Sequence, residues 1–176
     1  LYKFEGYNVE ANYFINDIGK QISMLLVGVE KLGNIDNISF NDMLKLYIEI
    51  NEISKTDKRV EEKIFYYLHE LENGNEEVRN KFKKITDICV QGQQEIFKKM
   101  DIKWDRFTHE SDFVFGNDIK NILDSLRKTG RLHEDENGRL YVDLSGYNIP
   151  TKSPVLVLTR EDKTSLYPLR DIAYTI

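Results

Sequence analysis

The chain has 176 residues, with 25 Lys and Arg against 30 Asp and Glu, so its formal net charge is −5 at pH 7. That length can bury one sizeable core, and the acidic balance argues against a general nucleic-acid binder that neutralises many phosphates. One cysteine, Cys89, excludes an internal disulfide framework and a cysteine-rich zinc site; with no apolar run long enough to span a bilayer and no visible signal peptide, a reducing, cytoplasmic setting is expected.

Residues 1–6 read as the last turn of a helix closed by Gly6. A strand is predicted over 7–15, rich in Tyr, Val, Phe and Ile. Asn16 or Asp17 then suits a helix N-cap, with Ile18, Ile22, Leu25, Val29 and Leu32 recurring at helical spacing up to Gly33. After a polar loop over 34–37, Met43, Leu46, Tyr47 and Ile50 share one face of a helix over 40–53. Thr56 or Asp57 caps the next, which carries Val60, Ile64, Tyr67, Leu68 and Leu71 and stops at Asn73-Gly74. A longer helix over 75–100 has Val78, Phe82, Ile85, Cys89, Ile96 and Met100 as its apolar stripe.

Beyond that bundle, 102–107 and 113–115 are short strand candidates, and Asn117 or Asp118 opens a helix with Ile119, Ile122, Leu123 and Leu126 in phase up to Gly130. Residues 131–134 and 139–144 form a hairpin around Asn137-Gly138. The four apolar residues Val155-Leu156-Val157-Leu158 predict a strand buried on both faces, which is usual for parallel sheet. Pro168 then suits the first position of a closing helix. Chemistry concentrates there: Tyr167 and Asp171 stand four apart, so phenol and carboxylate share a face. Such a pair matches a guanidinium, because the carboxylate accepts two parallel N–H bonds and the phenol oxygen another. Spacing alone equally allows Asp171 simply to favour the helix N-terminus and Tyr167 to pack.

Residues 157–174, with Val157-Leu158-Thr159-Arg160-Glu161-Asp162 followed by Ser165-Leu166-Tyr167-Pro168-Leu169-Arg170-Asp171-Ile172-Ala173-Tyr174, resemble the arginine-pocket segment of the arginyl-tRNA synthetases. Tyr13-Phe14-Ile15-Asn16-Asp17-Ile18-Gly19-Lys20-Gln21 matches that family's aromatic-x-x-Asn-Asp-x-Gly-x-Gln segment. A third block is Trp104-Asp105-Arg106-Phe107 with Glu110-Ser111-Asp112-Phe113. Three blocks in one order are far more specific than any one alone. Pro168 departs from the family's usual residue there.

The resemblance implies an α/β fold, part of a Rossmann-like parallel-sheet catalytic domain with a mainly helical insertion. Residues 1–33 would be one piece of that domain, 34–115 the insertion, and 116–176 the return with hairpin, parallel strand and pocket helix. It also implies a class I ligase that activates arginine with ATP and transfers it to the 2′-hydroxyl of the terminal adenosine of tRNA(Arg). Tyr167 and Asp171 would hold L-arginine. Asn16, Asp17, Gly19 and Gln21 would line the active-site cleft, although the same residues also read as an ordinary helix start.

Glu110, Ser111 and Asp112 read more simply as capping or local pairs. His69, His109 and His133 show no metal-ligand spacing and read as surface or packing residues, and Cys89 as an inert buried thiol. Lys83-Lys84 and Lys98-Lys99 read as solvated helix faces. Neither a His-x-Gly-His segment nor a Lys-Met-Ser-Lys-Ser-like loop is present. The chain therefore reads as an internal piece with no catalytic residue or metal site of its own, inactive alone, with ATP and Mg²⁺ held by the complete enzyme and tRNA met mainly through other domains. The readings from other classes are a non-catalytic arginine sensor and a helical protein-interaction module.

Overall fold

The computed structural model describes residues 1–33, 35, 37–150 and 153–176. The loop expected over 34–37 thus falls in part, at Asn34 and Asp36, outside the described residues. The chain divides into two units, Leu1–His109 and Glu110–Ile176.

The first unit opens on a Schellman turn: the Tyr7 amide donates to the Tyr2 carbonyl and the Gly6 amide to that of Lys3, with Gly6 at φ 87°. Strand β1 (Asn12–Ile15) is shorter than the predicted 7–15. It feeds helix α1 (Lys20–Leu32), which packs against α2 (Phe40–Ser54), α3 (Lys58–Glu72) and α4 (Glu76–Lys99). Every residue of α1 from Ile22 to Val29 is buried, as befits a helix covered on all sides. Around it stand Met43, Leu46 and Ile50 of α2, Ile64, Leu68 and Leu71 of α3, and Val78, Phe82 and Ile85 of α4. Buried Ser23 satisfies its hydroxyl by donating to the Ile64 carbonyl at 2.6 Å.

The helix boundaries have local causes. Ser39 and Asp42 form a reciprocal capping box at α2. Asp57 and Asn75 cap α3 and α4 through their side chains. The stripe predicted for α4 leaves the core after Gly92, and Met100 is 64% exposed. With 24 residues α4 outruns the 15-residue α2 and α3, and its last turns pack instead through Phe97, which meets the rings of Tyr13 at 5.0 Å and Trp104 at 5.7 Å. After the bundle, β2 (Arg106–His109) returns parallel to β1, with Asn12 opposite Arg106 and Ile15 opposite His109. Asn12 and Thr108 exchange side-chain hydrogen bonds at 2.8 and 3.0 Å across the pair.

In the second unit α5 (Glu110–Phe115) is a helical turn where a strand over 113–115 was expected; the Gly116 amide donates to the Asp112 carbonyl. A run of three residues is too short for its apolar content to separate helix from strand. Helix α6 (Asp118–Lys128) and the hairpin β3 (Leu132–Glu134) and β4 (Leu140–Asp143) follow as expected, with Gly138 at φ 85°. The structure corrects the next element. Strand β5 (Val155–Val157) is antiparallel to β4, not parallel, and Val155 is 40% exposed. A parallel neighbour needs a crossover, usually a helix, and among the described residues no helix lies between β4 and β5. The sheet order is β3-β4-β5, and Ile122, Val142, Leu158, Leu169 and Ala173 form its core with α7 (Tyr167–Thr175). Among the described residues no helix is long and apolar enough to cross a membrane.

Candidate functional site

Because β1 and β2 run parallel, both end on the same side, the side on which open α/β sheets place ligands. There the chain turns sharply, the Asp17 amide donating to the Ile15 carbonyl at 3.1 Å. The buried Asp17 carboxylate meets Nδ1 of His109 at 3.1 Å. A carboxylate only accepts, so the proton sits on Nδ1 and Nε2 is turned away from Asp17. Asp17 is therefore not the N-cap of α1. The cap is Gly19, in extended conformation, with no side-chain hydrogen bond.

Gly19 lies where two side-chain amides meet. A Cβ there would lie 2.5 Å from Oδ1 of Asn16 and 2.7 Å from Oε1 of Gln21, so both amides converge over the space left by its missing side chain. Asn16 and Gln21 are exposed. Of the four residues predicted around this turn, then, Asn16, Gly19 and Gln21 form one polar cluster and Asp17 lies beneath it, engaged by a histidine that sequence reasoning had set aside. The signal for His109 was its place at the carboxyl end of a strand, a position that spacing between histidines does not register.

The second block lies in the Glu110–Ile176 unit. Leu158 is fully buried, Thr159 bridges to Ser165, and the Leu166 amide donates to the Leu158 carbonyl at 2.8 Å, which folds the Arg160–Thr164 turn back on itself. Leu166 is the N-cap of α7 and contributes no side-chain cap; Tyr167 is the first helical residue and Pro168 the second, one place later than predicted. The buried face of α7 is Leu169, Arg170 and Ala173. Tyr167, 68% exposed, and Asp171 stand on the open face one turn apart. Beside the helix start is a cavity of about 640 Å³ lined by Val157, Thr159, Leu166, Arg139, Arg160 and two acids.

A buried contact under this helix was not foreseen. Nη1 of Arg170 lies 3.2 Å from Oε1 of Glu110, with side chains 9% and 3% exposed. The sequence did carry a signal: Arg170 falls among the apolar positions of an amphipathic helix, where a cation needs a buried anion.

Other residues weighed from sequence have structural roles. His69 contacts the Asn73 amide at the end of α3, and His133 packs on Tyr141. Burial pushes the Cys89 thiol up to about 11, which makes it a poor nucleophile. Among the described residues no group of three or more His, Cys, Asp or Glu has the arrangement to hold a metal ion.

The family model for tRNA synthetases class I (R), catalytic domain, matches residues 1–176. The arginine–tRNA ligase of Methanothermobacter thermautotrophicus is 36% identical over 99% of this chain, and that of Methanocaldococcus jannaschii 33% identical over 99%. The chain spans 31% of the length of each. Among solved structures, the Plasmodium falciparum arginyl-tRNA synthetase superposes with a TM-score of 0.73 at 17% identity, covering 99% of this chain and 28% of its own. The Thermus thermophilus enzyme superposes with a TM-score of 0.70 at 24% identity, covering 98% and 29%.

Proposed function

The chain belongs to the family of class I tRNA synthetase (R) catalytic domains, and from that premise we propose that it supplies the arginine-recognition part of an arginine–tRNA ligase. The full-length polypeptide would activate L-arginine with ATP and pass the arginyl group to the 2′-hydroxyl of the terminal adenosine of tRNA(Arg). The observation that carries the assignment is the placement of Tyr167 and Asp171. They share the open face of α7 while Leu169 and Ala173 anchor the opposite face in the core.

The Asp171 carboxylate accepts a bidentate pair of N–H bonds from the substrate guanidinium, and the Tyr167 oxygen takes a further one. A charged hydrogen bond contributes roughly 1.5–3 kcal/mol, enough for about tenfold to a hundredfold discrimination against citrulline. Lysine loses the fork geometry. Asn16, Asp17, Gly19 and Gln21 are proposed to line the cleft at the strand ends. Their amides offer both donors and acceptors, and Asp17 fixes the orientation of His109 from below.

Among the described residues no group of three or more His, Cys, Asp or Glu is arranged to hold a metal ion, and the Mg²⁺ expected with ATP is proposed for the complete enzyme. Neither ATP-site signature lies in the sequence. The isolated chain is accordingly expected to leave arginine unactivated, tRNA to be met mainly through other domains, and the complete protein to work in the cytoplasm.

The test is arginine-dependent charging by the full-length polypeptide containing this chain, with arginine, lysine and citrulline offered to wild type and to Asp171→Asn. The expected result is arginine-only charging and at least a tenfold fall in kcat/KM for arginine in the variant. Near-normal arginine kinetics in Asp171→Asn would remove the site assignment while leaving the enzyme.

A further inference from the structure

His109 ends β2 opposite Ile15, the last residue of β1, so its ring stands at the carboxyl ends of two parallel strands beside the Asn16-Asp17 turn. The Asp17 side chain is 11% exposed, whereas that of His109 is 35% exposed and within reach of a ligand. Nδ1 meets the buried carboxylate at 3.1 Å. That contact sets the tautomer and fixes the direction of the second ring nitrogen. A histidine oriented by a carboxylate behind it is the arrangement that holds an imidazole ready for a reactant in front.

What stands in front is set by hydrogen-bonding chemistry. In the neutral ring Nε2 carries the lone pair and accepts; in the charged ring it donates. A hydroxyl answers both states, because it has one donor and two acceptor lone pairs. The neighbouring side chains select the same kind of group. Asn16 and Gln21, whose amides converge over Gly19, are neutral donors and acceptors. The nearby cation, Lys20, is drawn over the Phe65 ring at 5.0 Å. Doubly wound α/β folds bind nucleotides at strand carboxyl ends and hold a ribose hydroxyl there with a side-chain acceptor.

We propose that His109, held by Asp17, is a substrate-binding residue whose Nε2 hydrogen-bonds a ribose hydroxyl of an adenosine. This rests on the ligase reading above, which supplies two such riboses, that of ATP and that of the terminal adenosine of tRNA(Arg).

The experiment uses the full-length polypeptide and follows arginine charging by wild type, His109→Asn and His109→Gln. The Asn amide keeps a donor for Asp17 near the Nδ1 position and leaves no group at Nε2, whereas the Gln amide reaches the Nε2 position. Each protein is offered ATP, 2′-deoxy-ATP and 3′-deoxy-ATP, and tRNA(Arg) ending in adenosine or in 3′-deoxyadenosine. The expected outcome for His109→Asn is a fall of about tenfold in kcat/KM for one of the two nucleotide substrates. Arginine KM stays within about twofold of wild type, and His109→Gln recovers part of the loss. Removing the contacted hydroxyl from that substrate costs wild type about tenfold and His109→Asn less than about twofold, since one bond is lost only once. The arm that shows this coupling, ATP or tRNA, identifies the ribose. A purely structural role leaves the penalty of His109→Asn equal with every deoxy substrate, and that result refutes the contact. Wild-type kinetics in His109→Asn, or a loss confined to arginine KM, refutes it too. If His109→Asn does not fold, His109→Ala enters the same cycle in its place. A wild type that charges no arginine removes the ligase reading and this contact with it, whereas a charging wild type without the coupling removes the contact alone.

Discussion

Glu30, near the end of α1, shows how one side chain is tuned by what the bundle brings to it. Burial raises its pKa, but hydrogen bonds from Lys63 and Tyr67, with the charges of Lys63 and Lys81, outweigh that and hold it below the ordinary 4.5. The Tyr67 hydroxyl donates to Glu30 at 2.5 Å and Lys63 pairs with it at 2.7 Å. Burial first, then the neighbouring carboxylate, drives the Tyr67 phenol in the other direction, well above its usual range. A carboxylate whose folded pKa is depressed contributes stability above its unfolded pKa and loses it as pH falls through the folded value. Glu30 therefore supports the bundle at neutral pH and withdraws that support below about pH 4.5. Glu30→Gln should flatten the acid limb of stability against pH, measured by urea melts at pH 7 and pH 3.5. An unchanged slope between those two pH values would show that the triad carries no such linkage.

At the scale of elements, steric fit decides where helices meet. A Cβ at Gly92 would lie 2.1 Å from Cγ of Phe40, so α4 admits the first residue of α2 only because position 92 has no side chain. Gly92→Ala should destabilise the protein by about 1–3 kcal/mol through overpacking, although Ala favours helix over Gly. The same substitution in a Phe40→Ala background should cost less, since the ring carbons are gone and only the Cβ contact at 2.5 Å remains. Equal costs in the two backgrounds, read from thermal melts, would mean that the ring does not set the approach of α4. The helices were legible in sequence because their apolar residues repeat at 3.6 and their ends carry Asp57, Asn75, Gly33 and Gly74. The strands were less so. Val155-Leu156-Val157-Leu158 reads alike whether its neighbour runs with it or against it, and only the absence of a crossover helix between β4 and β5 among the described residues decides. Phe113 to Phe115 was too short for periodicity to speak.

Across the whole chain, the candidate residues are distributed between the two units: Asn16, Asp17, Gly19, Gln21 and His109 in Leu1–His109, Tyr167 and Asp171 in Glu110–Ile176. The sequence revealed these blocks because each binds its chemistry to a local spacing, four residues in α7 and the Asn16 to Gln21 turn. It hid the contacts made at long range, Asp17 with His109 and Glu110 with Arg170, since no short window contains both partners. The units also differ in how much core each holds. The first has α1 covered by three helices and most of the fully buried aliphatic side chains, whereas the second has a cluster of five buried residues under a three-stranded sheet. Short segments with few buried side chains are marginal on their own. Residues 1–109 expressed alone should therefore give a helical circular dichroism spectrum and a cooperative melt. Leu26→Ala, at a site only 2% exposed, should lower the stability of that piece by about 2–5 kcal/mol. Residues 110–176 alone should melt broadly or not at all, because their sheet and α7 share one small core. A gradual, non-cooperative melt of residues 1–109 would show instead that the α1 bundle depends on the second unit for its folding.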